Sequence, residues 1–249
     1  MRQVYTRLDQ LRRAGRKGLA VLIDPDKVAS TEALVRTTDL VRHSGADFVF
    51  AGGSLMVEDQ FHAVMHSLRN AIDLPIVLFP GSVQQISKEA DALLFLSLIS
   101  GRNPELLIGQ HVAAAPVLRK MQLEVVSCGY MLVDCGKPTT ASYISQTLPL
   151  PYHKPEIAMA TAMAGEMLGL KTLYLDGGSG AEKPISPEMI RAVRTHTDVP
   201  LIVGGGIREE AHLEAAYAAG ADVVVVGTAF EEAPELLFAF NDVKKQFTR

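Results

Sequence analysis

The sequence predicts one (β/α)8 TIM barrel spanning residues 1–249, and three observations predict it. Eight short apolar, β-branched runs recur, each apolar throughout rather than alternating, as strands covered on both faces are. Helical patterns lie between them. Three helix-to-strand joins, SGAD (44–47), LGLK (168–171) and AGAD (219–222), place a glycine just past a helix and then step into a strand, which is helix C-cap chemistry. Strands alternating with helices over one domain's length give a barrel, with a doubly wound open sheet as the competing arrangement of the same elements.

In chain order the strands are GLAVLID (18–24), ADFVFAGG (46–53), LPIVLFPG (74–81), ADALLFLS (90–97), CGYMLVD (128–134), KTLYLDGG (171–178), VPLIVGGG (199–206) and ADVVVVG (221–227). The helical patterns cover 30–44, opening on the cap candidates Ser30 and Thr31, then 57–70, 156–168, 187–196 from Pro187, 209–219 and 234–246. The third and fourth strands are joined only by GSVQQISKEA (81–90), too short for a crossover helix. Residues 102–120 read as helical only in part. The expected barrel is therefore modified, with the helix after strand three missing or irregular.

The bulk numbers narrow the function. Of 249 residues, 48% are hydrophobic and 21% charged, enough for a sizeable core, and a net charge of -4 gives no basis for a nucleic-acid or anionic-membrane partner. No apolar stretch reaches the length of a membrane span, and the amphipathic start MRQVYTRLDQLRR lacks the apolar centre of a secretory leader. Arg12, Arg13, Arg16 and Lys17 read as the solvated end of a first helix. Cys128 and Cys135 lack metal-binding spacing and read as thiols in a reducing compartment, so a cytoplasmic protein is expected. His62 and His66 are four apart but lack the HExxH pattern, and read as exposed helix residues. Apolar helix faces suggest a homo-oligomer, a dimer or larger.

Chemistry is expected at the C-terminal ends of the strands. After strand six comes Asp176-Gly177-Gly178-Ser179-Gly180, after strand seven Gly204-Gly205-Gly206-Ile207-Arg208, and after strand eight Gly227-Thr228. Glycines let backbone N–H groups approach an anion, and Ser179 and Thr228 add hydroxyl donors, so loops six to eight read as a grip on a phosphate monoester. Arg208 adds charge to that grip or sits in a surface salt bridge. Across the barrel, strand one ends Asp24-Pro25-Asp26-Lys27 and strand two Gly52-Gly53-Ser54. A carboxylate and a hydroxyl at neighbouring strand ends suit Mg²⁺. The same residues suit a second reading, in which Asp24 and Asp26 cap the following turn and helix.

With DPDK, GGS, YLDGGSGA, VGGGIR and VGT in this order, the chain resembles the geranylgeranylglyceryl phosphate synthase family, which includes the bacterial heptaprenylglyceryl phosphate synthases. The similarity runs from about residue 18 to 230 and includes LFPG (78–81), DALLFLSLISGRNP (91–104) and Gly129-Tyr130. The resemblance implies a prenyltransferase that joins sn-glycerol 1-phosphate to a polyprenyl diphosphate as an ether, with Mg²⁺ and loss of diphosphate. It implies metal positions at Asp24 and Ser54. It implies a glycerol phosphate site at Tyr174, Leu175, Asp176, Gly177, Gly178, Ser179 and Gly180, completed by Gly205, Gly206, Gly227 and Thr228. An apolar groove beside the missing helix would hold the prenyl chain.

On that resemblance Asp176 deprotonates the glycerol C3 hydroxyl, and Tyr174, on the same strand face, hydrogen-bonds the glycerol or belongs to the core. Asp176 also reads as a carboxylate that stabilises its own loop. Many relatives carry glutamate there, one methylene longer. Some bacterial members carry lysine where this chain has Leu22, so the chain is more similar to the archaeal-like branch, and Lys27 or Arg208 would supply the charge instead. Two rivals compete: a phosphate-binding barrel of the sugar-phosphate isomerase type, and a non-catalytic binder of phospholipid precursors.

Overall fold

Eight parallel strands close into a barrel in sequence order: β1 (Gly18–Ile23), β2 (Phe48–Ala51), β3 (Ile76–Leu78), β4 (Ala92–Leu98), β5 (Glu124–Leu132), β6 (Thr172–Asp176), β7 (Leu201–Gly204) and β8 (Val223–Val226), with β8 pairing back to β1. This computed structural model describes residues 3–247. The open-sheet alternative is excluded by that closure. Ten α-helices are present among the described residues: α1 (Val4–Arg13), α2 (Thr31–His43), α3 (Phe61–Ala71), α4 (Gln110–Met121), α5 (Thr140–Ser145), α6 (Pro155–Met167), α7 (Pro187–His196), α8 (Glu210–Ala219), α9 (Thr228–Glu232) and α10 (Leu236–Gln246).

The caps follow from their residues. Ser30 and Ser186 accept from the backbone N–H of Ala33 and Met189 at the starts of α2 and α7. Gly45, Gly169 and Gly220 sit at φ +75°, +86° and +115°. The repeated glycine of the three joins is thus needed for left-handed backbone just past a helix.

Strand alternation divides the core into two layers. Ala20, Phe48, Phe50, Val77, Leu94 and Val126 point inward and fill the barrel, whereas Leu19, Val21, Val49, Leu173, Leu175 and Val203 point outward under the helices. Each valine, leucine or phenylalanine so removed from water stabilises the fold by roughly 1.5–3 kcal/mol, which is why these strands read as unbroken apolar runs. Helix α1 stoppers the N-terminal end of the barrel with Val4, Leu8 and Leu11. Its first free N–H groups, on Val4 and Tyr5, donate to the Glu124 carboxylate at 2.8 and 2.9 Å. Arg12 and Arg13 in its last turn pair with Asp9. Lys17 departs from the expected solvated cluster. It is half-buried, its Nζ donates to the Ala221 carbonyl at 2.7 Å, and burial pushes its pKa down.

The side of the barrel at β3 and β4 is irregular, as the short connection predicts. A single 3₁₀ turn (Val83–Gln85) stands where other units have a helix. Buried Gln85 ties that turn inward: its Oε1 accepts from Gly53 and Gly81 N–H, and its Nε2 donates to the Gly53 carbonyl. Two expectations are corrected nearby. Residues 105–121 are helical throughout, a π-helical turn (Glu105–Gly109) running into α4, and Asn103 caps it by accepting from Glu105 N–H. Strand β5 begins at Glu124 rather than Cys128, because Glu124 to Tyr130 pair with β4 although Val125 is 39% exposed.

Candidate functional site

The C-terminal end of β6 carries the centre of the site. Tyr174 and Asp176 share the inward face, as the alternation predicts. Leu175, between them, is fully buried in the outer layer, so its side chain does not reach the barrel mouth. Asp176 is 7% exposed. Its Oδ2 accepts from the Tyr130 hydroxyl at 2.6 Å and its Oδ1 from Gly178 N–H at 2.7 Å. Burial raises its pKa above the ordinary carboxylate value, opposed by those two hydrogen bonds. Tyr130 and Tyr174 are pushed well above the usual phenol range by burial first and then by the Asp176 charge, so both stay neutral at physiological pH.

The glycine loops interlock around this carboxylate. Gly177 N–H donates to the Gly204 carbonyl at 3.0 Å. A Cβ on Gly204 would collide with the Tyr174 hydroxyl. Gly205 and Gly206 lie at φ +84° and +72°, and a Cβ on Gly205 would fall 2.7 Å from both Cα and N of Gly177. Gly205→Ala is therefore expected to cost about 2–4 kcal/mol, lowering Tm by roughly 5–15 °C, because it adds left-handed strain to a backbone clash. Thermal unfolding checks this. An unchanged Tm would show that the loops are not packed in this way.

These loops wall one side of a cavity at the barrel mouth that also holds Asp24, Lys27, Gly53 and Ser54. Glycines 178, 180, 205, 206 and 227 reach its surface with Ser179, Thr228 and Arg208. Lys27 Nζ reaches Ser179 Oγ across the mouth at 3.5 Å, and the Arg208 guanidinium donates to the Ala181 carbonyl at the cavity wall. A second, apolar cavity opens beside the first. It runs along β4 between the irregular turn, α4 and α5, past Ile86, Leu94, Leu96, Ala114 and Ala141. The two cavities share Gly53, Ser54 and Phe79. His111 is buried in the wall of the apolar one, edge-on to Phe95 at 4.3 Å, and burial lowers its pKa, favouring neutral imidazole.

The turn after β1 shows capping. Asp24 Oδ1 accepts from Asp26 N–H at 3.2 Å, and Asp26 Oδ2 accepts from Val57 N–H at 2.5 Å. The Asp24 carboxylate also packs on Gly53, where a Cβ would fall 2.8 to 3.0 Å from it. Asp24 thus caps its turn and faces the mouth beside Ser54. Among the described residues no three His, Cys, Asp or Glu side chains gather to hold a metal, so a cation here would rely on few protein oxygens.

The model of the PcrB family matches residues 12–245. The chain belongs to the PcrB family. It is 49% identical over 243 residues to a geranylgeranylglyceryl phosphate synthase of Chitinophaga pinensis, covering 96% of this chain and 95% of the relative. It is 39% identical to one of Korarchaeum cryptofilum, covering 95% and 97%. The crystal structure of (S)-3-O-geranylgeranylglyceryl phosphate synthase from Thermoplasma acidophilum, in complex with its substrate sn-glycerol-1-phosphate, superposes with a TM-score of 0.91. Identity there is 28%, over 100% of this chain and 99% of that one. This PcrB-family chain is accordingly an enzyme of the geranylgeranylglyceryl phosphate synthase-like class, a prenyltransferase.

Within the PcrB-family site, the structure gathers Asp24, Ser54, Tyr174, Asp176, Gly178, Ser179, Gly180, Gly205, Gly206, Gly227 and Thr228 around one cavity. Gly177 lies just behind it, against Cys135. Cys128 and Cys135 are buried free thiols, each pushed up to about 12 by burial, and both are unreactive there. Sequence reasoning gave no role to Phe79, Gln85, His111 or Tyr130. One signal was within reach. Tyr130 pairs with Tyr174 in the β5–β6 register, so alternation puts both on the inner face once that register is known.

Proposed function

We propose that this PcrB-family chain joins a polyprenyl group, from its diphosphate, to the C3 hydroxyl of sn-glycerol 1-phosphate through an ether bond. The observation that carries this reading is the shared edge at Gly53, Ser54 and Phe79, where a glycine-lined polar mouth meets a long apolar groove. A sugar-phosphate isomerase needs the mouth alone. A substrate with a phosphorylated end and a long hydrocarbon tail uses both cavities.

In this reading the backbone N–H groups of Gly178, Gly205, Gly206 and Gly227, with Ser179 and Thr228, bind the glycerol phosphate group. Lys27 and Arg208 add positive charge at the rim, where this chain has Leu22 in place of lysine. Asp176 takes the proton of the C3 hydroxyl. Its oxygens keep lone pairs beyond those used by Tyr130 and Gly178, and its raised pKa makes it the stronger base. Tyr130 holds that carboxylate in orientation, and Tyr174 lies beside it on the same strand face. The donor set of Asp24 and Ser54 fits Mg²⁺, which takes one or two protein oxygens and leaves its other positions to water and phosphate. When bound, the ion would neutralise charge on the departing diphosphate. Met167 and Leu168, each 80% exposed at the end of α6, support association with a second copy.

Incubation with labelled sn-glycerol 1-phosphate, a series of prenyl diphosphates and Mg²⁺ tests the reading. An acid-stable ether product is expected, and its absence with every donor would refute it. Ala141→Trp separates the two cavities. Ala141 is half-buried in the groove wall, so the indole is expected to raise the prenyl diphosphate KM about tenfold or more with glycerol phosphate affinity unchanged. Equal loss of both affinities would place the tail elsewhere.

A further inference from the structure

Phe79, in the LFPG segment at the end of β3, has no part in phosphate binding or proton transfer, yet it stands where the two cavities join. Of the three residues common to both, Gly53 has no side chain, Ser54 is polar, and Phe79 alone presents an apolar one. A prenyl diphosphate with its tail in the groove and its diphosphate in the mouth must lay its first carbon at that joint. We infer that Phe79 is a catalytic residue whose ring stabilises positive charge on the allylic carbon as the diphosphate departs. This inference rests on the function proposed above.

Three observations fix the ring there. Phe79 stacks on Tyr174 with centroids 5.1 Å apart and planes at 25°. It meets Tyr130 edge-on at 5.8 Å, and Tyr130 meets Tyr174 at 5.7 Å, so the three rings form a closed cluster. Its own backbone is pinned, because Phe79 N–H donates to the Ala51 carbonyl at 2.9 Å and the Phe79 carbonyl packs where Gly52 has no Cβ. The ring is half-buried, stacked on Tyr174 and 6.4 Å from the Phe50 ring, and it lines both cavities. Among the described residues the protein's cation–π pairs lie elsewhere, on Phe48, Tyr5 and Tyr152. No described cation–π pair thus engages Phe79, and its ring borders both cavities where a transient cation would form.

The chemistry balances without a further reactant. The C1–O bond of the allylic diphosphate breaks and its electron pair leaves with the diphosphate. The C3 hydroxyl oxygen of the glycerol then donates an electron pair to C1, and its proton passes to Asp176. Positive charge on C1 exists only between those events, so an aromatic face there is felt in the transition state and not in the ground state. A cation formed against this half-buried ring is attracted more strongly than one at a fully exposed surface.

The test replaces Phe79 with mono-, di- and trifluorophenylalanine, which withdraw electron density from the ring while keeping its shape, and with leucine. The expected result is a stepwise fall in kcat, reaching about tenfold for the trifluoro ring and for Phe79→Leu. The prenyl diphosphate KM and the glycerol phosphate Kd are expected to stay within about twofold, since the ring acts on the transition state alone. A flat kcat across an active fluorinated series would overturn the inference and leave the proposed function standing. Loss confined to KM would also overturn it, making Phe79 a groove wall. A wild-type enzyme that forms no prenyl ether would remove the functional reading itself, which the series does not address.

Discussion

Asp176→Asn is expected to lower kcat by about 10²–10⁴-fold, the scale of a lost general base, while leaving the fold at least as stable as before. The stability half follows from burial. The Asp176 pKa is raised above its ordinary value, chiefly by desolvation. The favourable contribution of this group to folding is therefore fully present below the ordinary carboxylate pKa, and is lost as pH rises through the raised one. At neutral pH the ionised carboxylate is a net cost, held in place by Tyr130 and Gly178. Asparagine keeps both partners, because its Oδ1 accepts from Gly178 N–H and its amide donates to the Tyr130 oxygen. Tm at neutral pH is expected to be unchanged or higher, with the difference shrinking as the solution is acidified. The kcat profile of the wild-type enzyme is expected to fall on the acid side at a pH above the ordinary aspartate value. A normal kcat in Asp176→Asn would reduce this residue to a brace for its own loop.

Asp24→Asn is the second large effect. It is expected to lower kcat by about 10²–10³-fold, the scale of removing one electrostatic stabiliser of developing charge. Glycerol phosphate affinity is expected to be untouched. The turn survives the change, since the side-chain oxygen of the introduced asparagine still accepts from Asp26 N–H and the fit against Gly53 is isosteric. What disappears is the negative charge that faces the mouth beside Ser54. Calorimetric titration with Mg²⁺ in the presence of a prenyl diphosphate analogue, and separately with sn-glycerol 1-phosphate, distinguishes the outcomes. Weakened glycerol phosphate binding with normal turnover would contradict the assignment and leave Asp24 as a turn cap only.

Much of this fold is written locally. A strand covered by helices on one side and by the barrel interior on the other must be apolar on both faces, and β1, β6, β7 and β8 are buried at nearly every position. The glycines at 45, 169 and 220 mark helix ends because only left-handed backbone makes those joins. The misread segments have equally local causes. Residues 124–127 of β5 carry Glu124 and Ser127 and look unlike a strand, yet they pair with β4 because the ladder from Ala92 to Leu98 extends that far. The π-helical turn before α4 depends on Asn103, which also donates to the Ser145 carbonyl from 42 residues away. Leu175 sits within a site motif but faces outward, since a strand alternates whatever the motif contains.

From the sequence alone came the barrel, its irregular side, the glycine loops that line the mouth, and the family to which the chain belongs. Each is a property of neighbouring residues or of their order. Tertiary structure decided which groups act together. Tyr130 reaches Asp176 across 46 residues, Lys27 reaches Ser179 across 152, and Phe79 stacks on Tyr174 at the joint of two cavities. Closure of eight strands and the register of each pair determine those distances, because a shift of one residue would turn every inward side chain outward.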